Sequence, residues 1–134
     1  MPRSKRSSAT PDAAPGRAGE DIAAACLLKA GLSIRAQRYR NEIGEVDIIA
    51  EEGEALVFVE VKSRTEGTAG GEPWEKVTPS KLRKICRAGQ AYAESEGLAH
   101  RPLRVDVVGV WFENERQRVV HYRDVTRFAS PPRR

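Results

Sequence analysis

The sequence predicts a mixed α/β domain, a central sheet flanked by helices. Three observations predict it. Two segments, residues 17–30 and 79–96, carry apolar residues at helical spacing and stop at Gly31 and Gly97. Three aliphatic and β-branched runs, residues 32–40, 45–50 and 56–62, lie between them. Beyond the second helix, residues 103–112 alternate, and Val119 to Tyr122 reads as a last short strand. Strands joined by short turns pair antiparallel, whereas a strand reached across a helix pairs parallel, so the sheet is expected to be mixed.

A chain of 134 residues suits one domain with a single real core. The net charge of +4 and a pI near 9.3 suit a polyanionic partner without singling one out. No apolar run approaches the roughly 18 residues that a membrane span needs, so no membrane partner is expected. Residues 1–16 are rich in Pro, Ser and Ala, with Arg3, Lys5 and Arg6 but no apolar segment after them. They read as a flexible basic tail rather than a secretory signal. Residues 129–134 read as a second tail, which leaves 17–128 as the domain. Cys26 and Cys86 fall inside helices and are expected to be buried thiols, supporting neither a disulfide framework nor a zinc site. The expected location is the cytoplasm.

The first helix is expected to bury Ile22, Ala25, Cys26 and either Leu28 or Lys29. Glu20 lies in its first turn, where it either favours the positive end of the helix dipole or joins a site. The strand at 32–40 sets Ile34, Ala36 and Arg38 against Arg35, Gln37 and Tyr39. Arg35, Arg38 and Arg40 around Tyr39 fit an edge strand protected by charge, or a phosphate grip with a stacking aromatic beside it.

The next two strands carry the chemistry. Glu45 and Asp47 share one face of the first by period-two spacing, and Glu60 and Lys62 share one face of the second. A strand as apolar as Leu56 to Val59 rarely continues into charges, because removing an ion from water costs several kcal/mol unless it is compensated. The turn sets the register. A two-residue loop at Glu52-Gly53 places Glu45 opposite Glu60, with Asp47 on the diagonal. A four-residue loop from Glu52 to Ala55 places Asp47 directly opposite Glu60. Either brings carboxylates within about 8 Å at Cβ. A three-residue loop separates them onto opposite faces unless Gly53 forms a bulge.

Residues 63–77 are glycine-rich and read as a loop of the kind that folds over a ligand or simply connects elements. Thr78 and Pro79 then open the second helix as N-cap and first residue. Its apolar face is Leu82, Ile85, Cys86, Gly89, Tyr92 and Ala93, and off that face lie Lys81, Arg83, Lys84 and Arg87. Such a basic stripe is either a solvated face or a contact to phosphate. Asp106 reads as a strand-end charge paired with Arg104 or a lysine rather than as a ligand. His121 has no second histidine at ligand spacing and reads as structural or exposed.

Asp47 and Glu60 are hard oxygen donors suited to Mg²⁺ or Mn²⁺, which take one or two carboxylates together with waters and phosphate oxygens. The carbonyl of Val61 could add a ligand, and Lys62 would point at the same phosphate, to orient or deprotonate a water or to neutralise developing charge. Without metal the carboxylates repel, and at least one pKa is expected to rise. An internal ion pair of Lys62 with Glu60 or Asp47 is the plainer alternative.

Asp47 followed by Glu60-Val61-Lys62 resembles the D…E-x-K signature of the PD-(D/E)xK nuclease superfamily. The wider pattern adds residues 16–20 (GRAGE), 44–50 (GEVDIIA), 58–64 (FVEVKSR) and Lys81. Together these resemble the YraN-like family of bacterial proteins, itself similar to archaeal Holliday-junction resolvases. The resemblance spans about Gly16 to Val110. It implies a restriction-endonuclease-like αβββαβ core, with Asp47, Glu60 and Glu20 in the acidic cluster and Lys62 assisting catalysis. Glu45 matches the motif as an auxiliary residue. Val46 stands where the superfamily has proline, and valine rather than an aromatic follows Arg104. The implied activity is Mg²⁺- or Mn²⁺-dependent hydrolysis of DNA phosphodiesters, with branched or structured DNA among the substrates. The backbone would be gripped by Arg38, Arg40, Lys81, Arg83 and Lys84. Symmetric cutting of a four-way junction would require a homodimer. The alternatives are a nucleic-acid-binding module that does not cut, and a protein adaptor in DNA processing.

Overall fold

A computed structural model describes residues 15–65 and 77–125. Residues 1–14, 129–134 and most of the glycine-rich loop lie outside the described residues, whereas residues 15 and 16 of the expected tail already belong to the first helix. In chain order the elements are α1 (Pro15–Lys29), β1 (Ser33–Arg40), β2 (Glu45–Glu52), β3 (Ala55–Thr65), α2 (Pro79–Ser95), β4 (Leu103–Glu113) and β5 (Arg116–Tyr122). The strands form one five-stranded sheet in the order β1-β2-β3-β4-β5. All neighbours are antiparallel except β3 and β4, which run parallel across the α2 connection. This is the expected αβββαβ core with a mixed sheet, extended by one antiparallel strand.

The local signals account for the element ends. Gly31, at φ 100°, and Gly97, at φ 73°, follow the two helices in the left-handed conformation that a side chain resists. Thr78 caps α2 by accepting the Lys81 backbone N–H at 3.2 Å, with Pro79 as the first helical residue. Residues Glu52 and Ala55 pair, so only Gly53 and Glu54 turn the β2–β3 hairpin. Gly53 supplies φ 58° at the first turn position. The loop therefore has the length of the two-residue alternative, shifted by one residue, and the register of the four-residue alternative. Continuing the Ile48↔Val59 pairing by one step sets Asp47 opposite Glu60.

Two cores lie on the two faces of the sheet. Against α2 pack Val46, Ile49, Leu56, Phe58, Val105 and Val107. Against α1 pack Ile48, Ala50, Val57, Val59, Val108 and Val110. β3 is fully buried from Leu56 to Val59 because both helices lie over it. Each helix approaches through a glycine. A Cβ on Gly89 of α2 would sit 2.5 Å from the Phe58 ring, and one on Gly19 of α1 would sit 2.1 Å from Ser63 Oγ.

That close approach corrects the reading of α1. Its buried residues are Ala23, Ala24 and Leu27, whereas Leu28 is 56% exposed, Ala25 is exposed, and Ile22 and Cys26 are only half-buried. Gly19, Ala23 and Leu27 recur every fourth residue, so the helix turns its small side chains to the sheet. Cys26 and Cys86 are free thiols and only partly buried.

Asp106 and His121 join a structural network. The Asp106 carboxylate is fully buried on β4. It accepts from Arg104 Nε at 2.9 Å and from the Asp124 backbone N–H at 2.8 Å, and it lies 2.7 Å from His121 Nε2. Glu52 extends the network through Arg104 at 2.7 Å and through Arg123. Burial pushes the Asp106 pKa up, but His121, Arg104 and the Asp124 N–H outweigh it and hold the group at about 2. A depressed carboxylate pKa stabilises the fold above the unfolded value, and that stability is lost as the pH falls through the folded value. For Asp106 the window runs from about 4 down to about 2.

Two predictions follow from the packing and the network. Gly89→Ala should cost about 1–3 kcal/mol of stability in denaturant unfolding, through overpacking against Phe58. Phe58→Leu in the same chain should recover part of that loss, while Gly19→Ala should cost less because Ser63 Oγ can rotate away. Asp106→Asn should cost about 3–5 kcal/mol at neutral pH by removing the buried charge that Arg104 and His121 surround. That deficit should shrink as the pH falls toward 2, and a deficit independent of pH would contradict the ion-pair explanation.

Candidate active site

β2 stays paired with β1 to its first residue, through Tyr39↔Val46 and Arg40↔Glu45. Its pairing with β3 ends earlier, at Ile48↔Val59. The two strands therefore part at Asp47, which lies at the fork. Its carboxylate Oδ2 accepts the Val61 backbone N–H at 2.8 Å, replacing the carbonyl that a continuing ladder would have offered. The Val61 N–H thus keeps a partner, and the opening becomes a cleft of about 250 Å³ lined by Glu45, Asp47, Glu60, Lys81, Lys84 and Ile85.

β1 breaks at the same level. Ala36 and Tyr39 both pack toward α2, which strict alternation forbids, and Arg38 between them has φ 52°. A register shift also falls between Ile34 and Ala36. The alternation expected for 32–40 is therefore interrupted twice. A non-glycine residue in the left-handed region is held there by its surroundings. The conformation directs Arg38 to Glu20 of α1, at 3.1 Å. Asn41 fixes the β1–β2 turn to α2 by donating to the Ala88 carbonyl at 3.1 Å and accepting from the Ile43 and Gly44 N–H groups.

Glu60 and Lys62 follow Phe58 on the α2 side of β3 by alternation. Their side chains are 13% and 24% exposed, with Lys62 Nζ 3.4 Å from Glu60 Oε2. The ion pair of the plainer alternative is thus present, together with the carboxylate pair. Burial is the largest cause raising the pKa of Asp47 and Glu60, and for Glu60 the Asp47 charge adds to it. The Val61 N–H and Lys62 pull Asp47 partly back. Glu20 is raised by burial and then by Asp47, against its bond to Arg38. The expected rise occurs, with desolvation ahead of mutual repulsion. Lys81 is lowered by its interaction with Lys62 and by burial.

The cleft thus gathers Asp47, Glu60 and Lys81 with Glu45 at its rim, and Lys62 reaches in through Glu60. Glu20 is near enough to feel Asp47, but its carboxylate is engaged by Arg38. Among the described residues, no three Asp, Glu, His or Cys side chains form a metal-holding group. The donors that could take a hard cation are Asp47 and Glu60, both half-buried and raised in pKa chiefly by burial. Arg40 is bonded to Glu45 at 2.7 Å, so Arg38 and Arg40 both lie on acids around the site. Arg35 turns away from Tyr39 to Tyr92 and Glu51. Lys84 lines the cleft, whereas Arg83 and Arg87 stand exposed on α2.

Sequence reasoning placed Lys81 on a phosphate-gripping stripe, but it belongs to the cleft itself. The signal was available, since Thr78 as N-cap puts Lys81 in the first turn beside the buried Leu82 and Ile85.

The sequence profile of the uncharacterised protein family UPF0102 matches residues 19–110, which contain every one of these cleft residues. The chain belongs to the UPF0102 family. A UPF0102 protein of Anaeromyxobacter dehalogenans is 44% identical over 80% of this chain and 79% of its own length. One from Moorella thermoacetica is 42% identical over 75% of this chain and 82% of its own. A solved structure of Pyrococcus furiosus SfsA in complex with Ca²⁺ is similar at TM-score 0.36 and 17% identity, covering 81% of this chain and 62% of that one. No described helix of this UPF0102 chain is long and apolar enough to cross a membrane.

A carboxyl group whose folded pKa is raised costs stability at neutral pH, and the cost vanishes as the pH falls below the ordinary carboxylate range near 4. Asp47→Asn and Glu60→Gln, each alone and without divalent metal, should therefore melt a few degrees above the parent at neutral pH. The gap should close on acidification toward about 4. Melting below the parent at neutral pH would contradict the electrostatic description of the cleft.

Proposed function

We propose that this UPF0102 protein is a metal-dependent, nuclease-like hydrolase acting on phosphodiester bonds of DNA in the cytoplasm. The observation that carries this reading is the pair of desolvated carboxylates, Asp47 and Glu60, in one cleft with Lys62 and Lys81. Such a pair is costly in a protein that does not use it.

Asp47 and Glu60, with the Val61 carbonyl beside them, would hold Mg²⁺ or Mn²⁺, which would supply Lewis-acid stabilisation and a more acidic water. The chain's own residues do the rest. The Val61 N–H fixes the orientation of Asp47. Lys62 offsets the charge that develops on phosphorus as the attacking water oxygen bonds to it and the leaving sugar oxygen departs. Lys81 gives up its proton more readily than an isolated lysine and stands ready to relay the water's proton. Lys84, with Arg83 on the exposed face of α2, would steer the DNA backbone. Acting symmetrically on a branched substrate would take two copies.

A second reading draws on the bond between Glu20 and Arg38. With Glu20 engaged, the cleft has two carboxylates rather than three, which suits a module that binds nucleic acid without cutting it.

Cleavage of single-stranded, duplex, flap and four-way DNA with and without Mn²⁺ separates the two. The nuclease reading expects metal-dependent products, reduced at least roughly 100-fold by Asp47→Ala, Glu60→Ala or Lys62→Ala. Cleavage surviving all three changes would sink the site assignment, and salt-sensitive binding with no products would establish the second reading.

A further inference from the structure

The α2-facing surface of the sheet continues past the point where the α2 core ends. Val105 and Val107 belong to that core, and alternation carries Gly109 and Trp111 onto the same face. Gly109 is the partner of Lys62 on β3, and Trp111 is the partner of Arg64. On the other side Trp111 faces Arg118 of β5. The Arg118 guanidinium carbon lies 3.9 Å from the Trp111 ring centroid, directly over the ring. Its side chain is 53% exposed, with Glu113 at 3.6 Å. A planar cation thus sits over an aromatic ring while half of its side chain stays open to solvent. Strand spacing and rise put Trp111 roughly 8 Å from Lys62 at Cα, on the same face.

From this juxtaposition we propose that the Trp111–Arg118 pair is a stacking platform for an unpaired nucleobase on the DNA strand whose phosphate occupies the Glu60–Lys62–Lys81 cleft. The inference rests on the nucleic-acid reading above and specifies its substrate as DNA with an unstacked nucleotide beside the target phosphate. A base has a planar π-face that stacks on a guanidinium whatever its sequence, and the positive charge of Arg118 with Lys62 complements the strand. A base still paired in a duplex presents only its edge, so the platform discriminates by strand separation rather than by sequence. A pair that served only to stabilise the β4–β5 hairpin would not depend on the guanidinium's outer face. Trp111 acts here as a positioning residue, holding the Arg118 plane in place.

The test is fluorescence anisotropy of the full chain with three labelled DNAs, a thymidine single strand, a splayed-arm duplex and a blunt duplex, in EDTA so that no cleavage intervenes. The substitution is Arg118→Lys, which keeps the charge and removes the plane, with circular dichroism melting to verify the fold. The platform predicts that the parent prefers the two DNAs with unpaired bases. It predicts that Arg118→Lys weakens those two roughly tenfold while changing the blunt duplex less than twofold. Trp111→Phe, which keeps an aromatic support, should lose less than Arg118→Lys. Equal weakening on all three DNAs, or none on any, would overturn the platform and leave the cleft reading intact. No binding of any DNA by the parent would overturn the nucleic-acid reading and the platform with it.

Discussion

One hydrogen bond governs the working end of the sheet, from the Val61 N–H to the Asp47 carboxylate. A β-strand in the middle of a sheet cannot abandon its neighbour without stranding backbone groups. Here the first three residues of β2, Glu45 to Asp47, have no partner on β3, and a side-chain oxygen takes the place of the lost carbonyl. The fork, the cleft within it and the side-by-side placement of Asp47 and Glu60 all depend on that exchange. The same bond aims the remaining oxygen of Asp47 and explains why an aspartate, short enough to mimic a backbone acceptor, occupies the position. Arg38 in its left-handed conformation and Asn41 at the turn hold β1 in step with the departure.

The protein treats its two acidic clusters in opposite ways. On β4, Asp106 is fully buried and answered by Arg104, His121 and a backbone N–H, so its pKa falls to about 2. At the fork, Asp47, Glu60 and Glu20 are desolvated more than they are compensated, and all three are raised. The first arrangement locks β4, β5 and the hairpin together at one level of the sheet. The second leaves electrostatic demand unmet in a cleft open to solvent. Unmet demand of that kind is the usual mark of a site that awaits a cation or a substrate.

Most of the architecture is readable from local chemistry. Gly31, Thr78 with Pro79, Gly97 and the period-two runs are each decided within a few residues, so the element order and the αβββαβ core follow from sequence. The hairpin register was reducible to a choice of turns, which Gly53 then settled. The buried face of α1 was not readable. Hydrophobicity favours Ile22 and Leu28, but the helix seats Gly19, Ala23 and Leu27, because contact with Ser63 on a distant strand sets its roll. The Arg38 break was invisible for a related reason, since arginine has no intrinsic preference for positive φ. The chemistry of Asp47, Glu60 and Lys62 was legible because charges interrupt a buried run. The place of Arg38 on Glu20 required the tertiary fold.

We propose that the fork at Asp47 makes a site for one hard divalent cation. The most direct test is a Mn²⁺ titration followed by electron paramagnetic resonance of the free ion, at neutral pH, with duplex DNA present. A single saturable site that disappears in Asp47→Asn and in Glu60→Gln, but persists in Glu52→Gln at the opposite end of the strand, is the predicted result. Mn²⁺ binding that is absent in the parent, or undiminished in Asp47→Asn, would contradict it.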